Sequence, residues 1–309
     1  MSADYIIVRL QGGLGNQMFQ YTFGRALSMR SGMELYLDPS SLNLKKNRGY
    51  QLDAFTLSAK FADPEKIQSL ITPHFAIRKK LWKVLKIPFK YADTHILEKD
   101  FPYDKDIASR KTSAYFDGYW QTEKYFSDCK EFIRRDFSFR DEEVLRRHVQ
   151  YEEVLNSNSV SIHIRRGDYV KNPKYRKRLY VCKLEYYKNA MKFLAERFEN
   201  LTFYIASDDH EWVKHNFVLS KQVRLIESEN ALSDFYIMSR CRHNIISNSS
   251  FSWWAAWLNP NESKQVLAPD IWFNPCAKID FRDIVPDSWV KIETYRNENR
   301  DSIYSNGTL

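Results

Sequence analysis

The amino-acid sequence predicts an α/β fold made of two units, each with a parallel sheet. A strand, a helix and a strand succeed one another in the first 37 residues, and a longer alternation of strands and helices starts near residue 159. The 309 residues are also enough for two domains of roughly 150 residues each. We therefore expect an N-terminal unit over residues 1–155 and a C-terminal unit over residues 156–309.

The first unit opens with an apolar run at residues 5–10, which predicts a buried strand. A glycine-rich stretch at residues 11–15 interrupts this run, and Asn16 begins a helix that Gly32 is placed to end. Residues 35–37 predict a second strand, which should lie parallel to the first. Residues 40–150 are less regular, and we expect mixed helices and loops there.

In the second unit the alternation is plain. Strands are predicted at residues 159–164, 201–206, 223–226, 243–246 and 265–267. Helices are predicted at residues 183–198, 209–216, 233–240 and 251–258. This order is typical of a doubly wound sheet, which binds ligands at the carboxyl ends of its strands. Two such units facing each other would form a cleft between those edges.

The composition is that of a packed globular protein. Hydrophobic residues make up 43% of the chain, with only 9 Gly and 10 Pro, which excludes a disordered or collagen-like chain. No apolar stretch approaches the roughly 20 residues of a membrane-spanning helix. Because residues 1–13 do not resemble a signal peptide, we expect a cytoplasmic location. The four scattered cysteines are expected to be core thiols, and Trp253, Trp254 and Trp257 to be core residues.

The formal net charge of +8 allows nucleic acid, anionic lipid or a phosphorylated small molecule as a partner. Residues 77–91 carry six Lys or Arg among apolar residues. This pattern fits a helix lying peripherally on the inner membrane surface, and it equally fits a solvated basic helix that covers part of the core. A second basic cluster, residues 171–178, is expected to be a mobile loop.

The segment GGLGNQ at residues 12–17 lies between a predicted strand and a helix N-terminus. Small residues and backbone N–H groups in this position can cradle a phosphate. The segment lacks the Lys-Ser/Thr ending of an ATP-binding loop, and Met18 stands where a dinucleotide-binding fingerprint requires glycine. Phosphate binding and a simple tight turn both remain open.

The segment HIRRGDY at residues 163–169 follows another predicted strand. Two arginines at the end of a strand favour an anionic partner, and arginine recognises phosphate through two N–H groups at once. Because side chains alternate along a strand, His163 and Arg165 share a face and Arg166 points elsewhere. We expect Arg165 to contact a ligand and Arg166 to pair with Asp168 or another carboxylate.

Polar residues also follow the neighbouring strands. The segment SNSSF at residues 247–251 precedes a helix, where hydroxyl and amide groups could meet anionic oxygens. Helix capping explains one of these polar residues but not four in a row. Ser207 and Asp208 follow a second strand and Glu227 a third, and capping of the next helix is the alternative role for them.

Four segments together resemble the α-1,2-fucosyltransferases of glycosyltransferase family 11. They are GGLGNQMFQY at 12–21, HIRRGDYV at 163–170, FYIASDD at 203–209 and SNSSFSWWAAWL at 247–258. Their order and spacing cover nearly the whole chain. The resemblance implies two facing Rossmann-like domains in the GT-B arrangement, the N-terminal one on the acceptor side. It also implies a bacterial enzyme that transfers L-fucose from GDP-β-L-fucose to the 2-hydroxyl of a galactosyl glycan, with inversion and without a metal or cofactor.

The same resemblance assigns roles to individual residues. Arg165 is expected to hold the donor diphosphate with His163 beside it, and Asp168 is the candidate catalytic base or a structural partner of the loop. The residues expected around the donor are Gly13, Gly15, Asn16, Ser207, Asp208, Glu227, Asn248, Ser249, Ser250 and Phe251. An acidic residue after a strand is expected to bind guanine, for which Glu227, Glu229 and Asp234 qualify by position.

Two other functions fit parts of the sequence. Asp104 and Asp106 form the DxD pattern of metal-dependent sugar-nucleotide transferases, but no strand precedes them in the predicted pattern. A basic pI and abundant aromatic residues would suit a non-catalytic nucleic-acid-binding protein, which needs a basic stripe with interleaved aromatics. The separate phosphate-type loops favour the transferase. No motif in residues 40–150 identifies the acceptor.

Overall fold

The structure is a computed structural model that describes residues 4–42, 49–57, 59–73, 92–228 and 230–294, and only positions 77, 81 and 84 between residues 74 and 91. Most of the basic segment 77–91, and with it the choice between its two interpretations, therefore lies outside the described residues, as does Glu229. The chain divides into two compact units. The first reaches Arg140 and includes Arg282–Ile284, and the second comprises Asp141–Phe281 and the chain from Val285 onward.

The first unit contains a parallel sheet of five strands in the order β3-β2-β1-β5-β4. The strands are β1 (Tyr5–Arg9), β2 (Glu34–Asp38), β3 (Lys60–Phe61), β4 (His95–Leu97) and β5 (Ala114–Asp117). The helices are α1 (Leu14–Ser31), α2 (Pro64–Leu70), α3 (Lys105–Ala108) and α4 (Lys130–Asp136), with short 3-10 turns at Leu52–Ala54 and Glu123–Phe126. Because β1 and β5 are neighbours, the loops that follow them lie side by side.

The second unit contains a parallel sheet of six strands in the order β11-β10-β9-β6-β7-β8. The strands are β6 (Asn158–Ile164), β7 (Leu201–Ser207), β8 (Val223–Leu225), β9 (His243–Ile245), β10 (Val266–Pro269) and β11 (Val290–Ile292). The helices are α5 (Glu142–Arg146), α6 (Tyr151–Asn156), α7 (Gly167–Lys171), α8 (Pro173–Arg178), α9 (Leu184–Ala195), α10 (His210–Asn216), α11 (Ala231–Arg240) and α12 (Ser250–Leu258), with a 3-10 turn at Pro275–Ala277. Strand β6 lies between β7 and β9, so the carboxyl ends of these three strands meet.

The α/β class with two Rossmann-like units is confirmed, and so are the strands and helices predicted between residues 159 and 267. The prediction for residues 40–150 was wrong in one respect, because this region also supplies the strands β3, β4 and β5. These strands have two to four residues each, too few to show a period in the sequence.

Residues 171–178 belong to helices α7 and α8 and are not a loop, which corrects the expectation for this basic cluster. Pro173 occupies the first turn of α8, and the side chain of Asn172 accepts a hydrogen bond of 3.0 Å from the Lys174 N–H. A proline at this position and an asparagine cap are typical helix-start signals.

The first unit ends at residue 140 and not at 155, because α5 packs with the second unit. The Glu142 carboxylate on α5 accepts hydrogen bonds from Tyr236 and Arg240 on α11, at 3.0 and 3.1 Å. Among the cysteines, three are buried as expected, but Cys276 is exposed. The three tryptophans of α12 are buried, which confirms them as core residues. No helix in the described ranges is long and apolar enough to cross a membrane.

Helix α1 packs closely on the first sheet through Gly24. A β-carbon added at Gly24 would lie 2.7 Å from both Leu35 Cδ1 and Val8 Cγ2, and Val8 is fully buried. Such distances are below van der Waals contact, so a larger residue must displace the strands or the helix.

We expect Gly24→Val to lower the free energy of unfolding by about 1–3 kcal/mol, the usual cost of overpacking a core. Urea denaturation of the variant and the wild type measures this difference. Met29→Val introduces the same side chain on an exposed part of α1 and should cost only the helix-propensity difference, less than about 0.7 kcal/mol. Equal losses in the two variants would contradict the close packing at Gly24.

Candidate functional site

The loops after β6, β7 and β9 form one cluster at the carboxyl edge of the second sheet. His163, near the end of β6, shares a hydrogen bond of 2.8 Å between its Nδ1 and Ser247 Oγ. The Tyr169 hydroxyl on α7 donates to the Asn248 carbonyl at 3.3 Å. These two contacts join the arginine-containing loop to the serine-rich loop, as the sequence predicts.

Arg165 is held between two carboxylates. Its Nη2 lies 2.7 Å from Asp168 Oδ1 and its Nη1 lies 2.9 Å from Asp208 Oδ2, and the guanidinium also lies 5.6 Å from the ring centre of Tyr169. The Arg165 side chain is 31% exposed. Partly exposed ion pairs contribute only about 0–1 kcal/mol to stability, so the main effect of this pairing is to fix the direction of the guanidinium.

Arg166 points away from Arg165, as strand alternation predicts. Its Nε lies 3.1 Å from Asp209 Oδ2, and its guanidinium stacks 4.4 Å from the ring centre of Trp212. The expected pairing of Arg166 with a carboxylate is confirmed, with Asp209 as its partner. Asp168 pairs with Arg165 instead.

Asp208 connects the β7 loop to the start of α7. Its Oδ1 accepts hydrogen bonds from the backbone N–H groups of Arg166 and Gly167, at 2.8 and 3.1 Å. A β-carbon at Gly167 would lie 2.4 Å from Asp208 Oδ2, so a larger residue there would displace the Asp208 carboxylate. Beside it, the Ser207 hydroxyl accepts a hydrogen bond of 3.0 Å from the Asp209 N–H. The structure therefore places Ser207 and Asp208 where they shape the loop that carries Arg165.

The serine-rich loop contains a buried anchoring residue, Asn248, and the N-cap residue of α12, Ser249. Asn248 is buried, and its Nδ2 donates to the carbonyls of Tyr180 and Trp272, each at 2.8 Å. Ser249 stands at the N-cap of α12, but its side chain does not cap the helix, and the first turn contains no acidic residue. The Asn248 side chain thus anchors the loop, whereas the helix N-terminus at Ser249 is suited to an anion.

At three other helices that begin at this edge, side chains accept hydrogen bonds from the first N–H groups. Asp208 caps α7, Asp209 caps α10 through the Trp212 N–H, and Asn230 caps α11 through the Ser233 N–H. The first N–H groups of a helix carry partial positive charge, which a phosphate can neutralise. The N-terminus of α12 is therefore the best anion-binding position that these four helices provide. Ser250 begins α12, and Phe251 packs its ring 5.6 Å from His163.

His163 is buried and therefore resists protonation. Burial lowers the pKa of His163 to about 3, and the positive charge of Arg165 acts in the same direction, against a smaller opposite effect of Asp208. Its imidazole is neutral at physiological pH. The residue can thus orient Ser247 but does not supply a positive charge for a phosphate.

The candidate guanine ligands lie near the end of β8. Glu227 is exposed, and its N–H donates to Gln150 Oε1 at 2.9 Å. Asp234, on α11, accepts a hydrogen bond from the Ser228 hydroxyl, and burial raises the pKa of Asp234. Of the described candidates, Asp234 is the more enclosed carboxylate.

The glycine-rich loop of the first unit needs glycine at Gly12. This residue has a φ of +83°, and a β-carbon there would lie 2.3 Å from Asn16 Nδ2. Gly13 is the N-cap of α1 in an extended conformation, and Gly15 lies buried in the first turn. The first turn of α1 contains no acidic residue, a property that it shares with α12.

Buried glutamines brace this loop, a role that the sequence motifs did not indicate. The Gln20 amide accepts from the Gln11 N–H and donates to the Gly118 carbonyl, both at 3.0 Å. The Gln17 amide donates to the Gly12 carbonyl at 3.1 Å and accepts from the Gln51 N–H at 3.0 Å. Two amides three residues apart on the buried face of a helix were the signal that could have indicated this network.

The Asp104 and Asp106 pair serves as a helix start. Asp104 Oδ1 accepts from the N–H groups of Asp106 and Ile107, at 2.9 and 3.1 Å, and so caps α3. Within the part of the chain that the structure describes, no group of three or more His, Cys, Asp or Glu could hold a metal ion.

Parallel α/β units with polar loops at the carboxyl ends of their strands are typical of proteins that bind ligands at that edge of the sheet. Residues 4–293 match the model of glycosyl transferase family 11. The chain belongs to this family and is a glycosyltransferase, which confirms the resemblance seen in the sequence. Membership of a glycosyltransferase family argues against the alternative of a non-catalytic nucleic-acid-binding protein.

The chain is similar to several individual relatives. The chain is 37% identical to an Escherichia coli alpha-1,2-colitosyltransferase, over 93% of this chain and 99% of that protein. It is 30% identical to the O-antigen biosynthesis glycosyltransferase WbnK of the same species, over 92% and 99%. Among solved structures it resembles the fucosyltransferase NodZ from Bradyrhizobium, with a TM-score of 0.52, 15% identity and coverage of 84% and 95%. This last likeness concerns the fold alone.

The buried His163 predicts a specific pH dependence of stability. Its pKa lies below the ordinary value of 6.5, so the unfolded chain takes up a proton first as the pH falls. As the pH falls from 6.5 to 4.5, the free energy of unfolding should decrease more steeply for the wild type than for His163→Gln. The difference between the two slopes should be up to about 1.4 kcal/mol per pH unit. Denaturant unfolding at several pH values measures this. A wild-type-minus-variant difference that stays flat from pH 8 to pH 4.5 would contradict a buried neutral His163.

Proposed function

We propose that this chain transfers a 6-deoxy-L-hexose from a GDP donor to the 2-hydroxyl of a galactosyl residue in a glycan, with inversion and without a metal ion. The sugar is L-fucose or colitose, which lacks the 3-hydroxyl of fucose. Family membership supports the transfer, and two kinds of relative support the donor. One is the colitosyltransferase above, and the other is a galactoside alpha-(1,2)-fucosyltransferase 1 of Ateles belzebuth, 26% identical over 80% of this chain and 63% of that protein.

The observation that carries the proposal is the N-terminus of α12, whose N-cap Ser249 makes no side-chain capping bond, in the same loop cluster as Arg165. Cleavage of the sugar C1–O bond leaves negative charge on the β-phosphate of GDP. Hydrogen-bond donors aimed at that charge lower the activation barrier. The loss of one such hydrogen-bond donor typically raises the barrier by about 3–4 kcal/mol. The helix N–H groups, Ser249 and Arg165 would supply such donors. In this proposal arginine provides the positive charge that a divalent ion provides in other transferases.

The remaining groups are assigned by their surroundings. Asp234 is our candidate guanine ligand, since an enclosed carboxylate can accept two N–H groups from the edge of the base without competition from bulk water. The exposed Glu227 is less suited to this role. Asp168 Oδ1 accepts a hydrogen bond of 2.7 Å from Arg165, so we favour orientation of the arginine over the role of catalytic base.

Donor and acceptor can be identified by one assay. Purified enzyme is given GDP-fucose, GDP-colitose or UDP-galactose with a panel of galactosides, in EDTA and in Mn²⁺, and product linkage is determined by NMR. We expect an α-1,2 product from at least one of the two GDP donors, with turnover that survives EDTA. A UDP donor preference, or turnover that EDTA abolishes and Mn²⁺ restores, would contradict the proposal and favour Asp104 and Asp106.

Arg165→Lys should lower kcat/KM by about 10²-fold or more, since lysine keeps the charge but cannot bond two carboxylates and a phosphate in a fixed plane. Steady-state kinetics and thermal unfolding of the purified variant test this. Arg166→Lys is the matched control, because Arg166 pairs with Asp209 and stacks on Trp212. Near wild-type turnover in Arg165→Lys, or equal losses in both variants, would contradict the assignment.

Asp168→Asn distinguishes orientation from base catalysis. An orienting Asp168 predicts that GDP affinity and kcat/KM fall together, by about tenfold, because the amide accepts from Arg165 more weakly than the carboxylate does. Calorimetric titration with GDP gives the first quantity and steady-state kinetics the second. Loss of kcat by about 10²-fold with unchanged GDP affinity and melting temperature would instead identify Asp168 as the base.

A further inference from the structure

The α7–α8 segment, residues 167–180, begins and ends at the loops of the candidate site. Near its start, the Tyr169 hydroxyl donates to the Asn248 carbonyl at 3.3 Å. At its end, the Tyr180 carbonyl accepts a hydrogen bond of 2.8 Å from the Asn248 side chain. Asn248 belongs to the serine-rich loop, so this loop is bonded to both ends of the segment. The two helices therefore lie at the carboxyl edge of the second sheet, beside the loop cluster of Arg165.

The backbone of α8 is fixed at its start and at its end. The Asn172 side chain caps the first turn, as described above. In the last turn, the Asn274 side chain donates to the Arg176 carbonyl at 3.2 Å, and the Asn274 N–H donates to the Arg178 carbonyl at 2.9 Å. The Arg178 guanidinium lies 6.0 Å from the ring centre of Phe273. The helix thus holds its charged side chains at defined positions near the site.

The α7–α8 segment carries an unbalanced positive charge. No Asp or Glu occurs between residues 169 and 184. On other helices exposed lysines pair with nearby carboxylates, as Lys66 does with Asp63 and Lys214 with Glu211. Five exposed cations of α7 and α8 form no ion pair within the described ranges: Lys171, Lys174, Arg176, Lys177 and Arg178. Their charge is available to a partner outside the chain.

The neighbouring loop cluster lacks such a charge. Arg165 and Arg166 pair there with three carboxylates, so the side chains of the cluster carry an excess negative charge that opposes the approach of an anion. The N–H groups of a helix terminus attract an anion only within about one turn. The five cations outweigh this excess and act over a Debye length, about 10 Å at 0.1 M salt. A positive surface beside a binding site raises the association rate of anionic ligands.

We propose that the exposed cations of α7 and α8 form a steering surface that attracts an anionic nucleoside diphosphate sugar toward Arg165 and the N-terminus of α12. This inference rests on the proposed function, in which those two groups bind the donor diphosphate. The cations act before the donor is bound, so they change its association rate and not the chemical step. A nucleotide is favoured over a membrane surface as the partner, because both ends of the segment are bonded to the loop that precedes α12.

Charge variants of α8 test the inference. Lys174→Glu with Lys177→Glu reverses two charges, and Lys174→Gln with Lys177→Gln removes the same two. Both side chains are exposed, so both double variants should fold. Stopped-flow mixing with a fluorescent GDP analogue gives the association and dissociation rate constants, and thermal unfolding checks the fold.

A second charge reversal serves as the matched control. Lys221→Glu with Arg242→Glu changes the total charge by the same amount, and both residues are exposed. They precede β8 and β9 and therefore lie at the amino edge of the second sheet. A strand of seven residues such as β6 separates the two edges by about 20 Å, well beyond the Debye length.

At about 20 mM salt, we expect the reversed α8 variant to bind the GDP analogue at least about fivefold more slowly than the wild type. Its dissociation rate and kcat should stay within about twofold of the wild type, because peripheral charges act mainly on association. The neutralised variant should show about half of that change in the logarithm of the rate, since steering depends on charge. At about 500 mM salt the differences should fall below about twofold. The control should match the wild type at both salt concentrations.

Two outcomes would overturn the inference. One is an association rate in the reversed variant equal to that of the wild type at low salt, or a loss that high salt does not remove. The other comes from sedimentation with phosphatidylglycerol vesicles, measured in parallel. Vesicle binding that the reversed variant loses, with unchanged association of the GDP analogue, would assign the surface to a membrane.

The choice of nucleotide separates this inference from the proposed function. The same kinetics are measured with a fluorescent UDP analogue. If the wild type binds UDP and not GDP, and charge reversal slows that association, the GDP donor is refuted and the steering role stands. If the wild type binds GDP and the reversed variant associates equally fast, the steering role is refuted and the GDP donor stands.

Discussion

The candidate site depends on the guanidinium of Arg165 being held between Asp168 and Asp208. The same Asp208 carboxylate binds the first N–H groups of α7, and a residue larger than glycine at position 167 would displace this carboxylate. One carboxylate from the β7 loop thus fixes both the start of the next helix and the direction of the arginine. The main effect of these ion pairs is to fix the direction of the guanidinium, because partly exposed pairs add little to stability.

This arrangement also limits how the loops can bind an anion. Two arginines face three carboxylates, Asp168, Asp208 and Asp209, so the loop cluster has no net positive charge from side chains alone. Attraction for a diphosphate must then come from directed N–H groups, which the helix termini supply. Carboxylate or amide side chains bind the first N–H groups of three helices at this edge, whereas the N-cap Ser249 of α12 makes no side-chain capping bond, which is why we propose the phosphate site there. The neutral, buried His163 is hydrogen-bonded to Ser247 of the serine-rich loop and adds no charge to the site.

The sequence predicted the second unit well because each strand there has enough residues to show its period and is followed by turn signals. The strands β3, β4 and β5 were not predicted, because their local sequence shows no strand pattern. They are strands because they pair with neighbouring strands of the first sheet. Motifs indicated the loops of the candidate site, but they could not show that Arg165 pairs with Asp208, a residue 43 positions away. Likewise, the Gln121 contact with Asn16 joins two loops that are distant in sequence, and only the order of strands brings them together.

The most direct test of this account is a crystal structure of the enzyme with GDP. We predict that the β-phosphate oxygens lie within hydrogen-bond distance, about 2.7–3.2 Å, of an Arg165 nitrogen and of N–H groups in the first turn of α12. Asp208 should keep its contact with Gly167 in that complex. A diphosphate bound away from both groups, with Arg165 still held by its two carboxylates, would contradict the account.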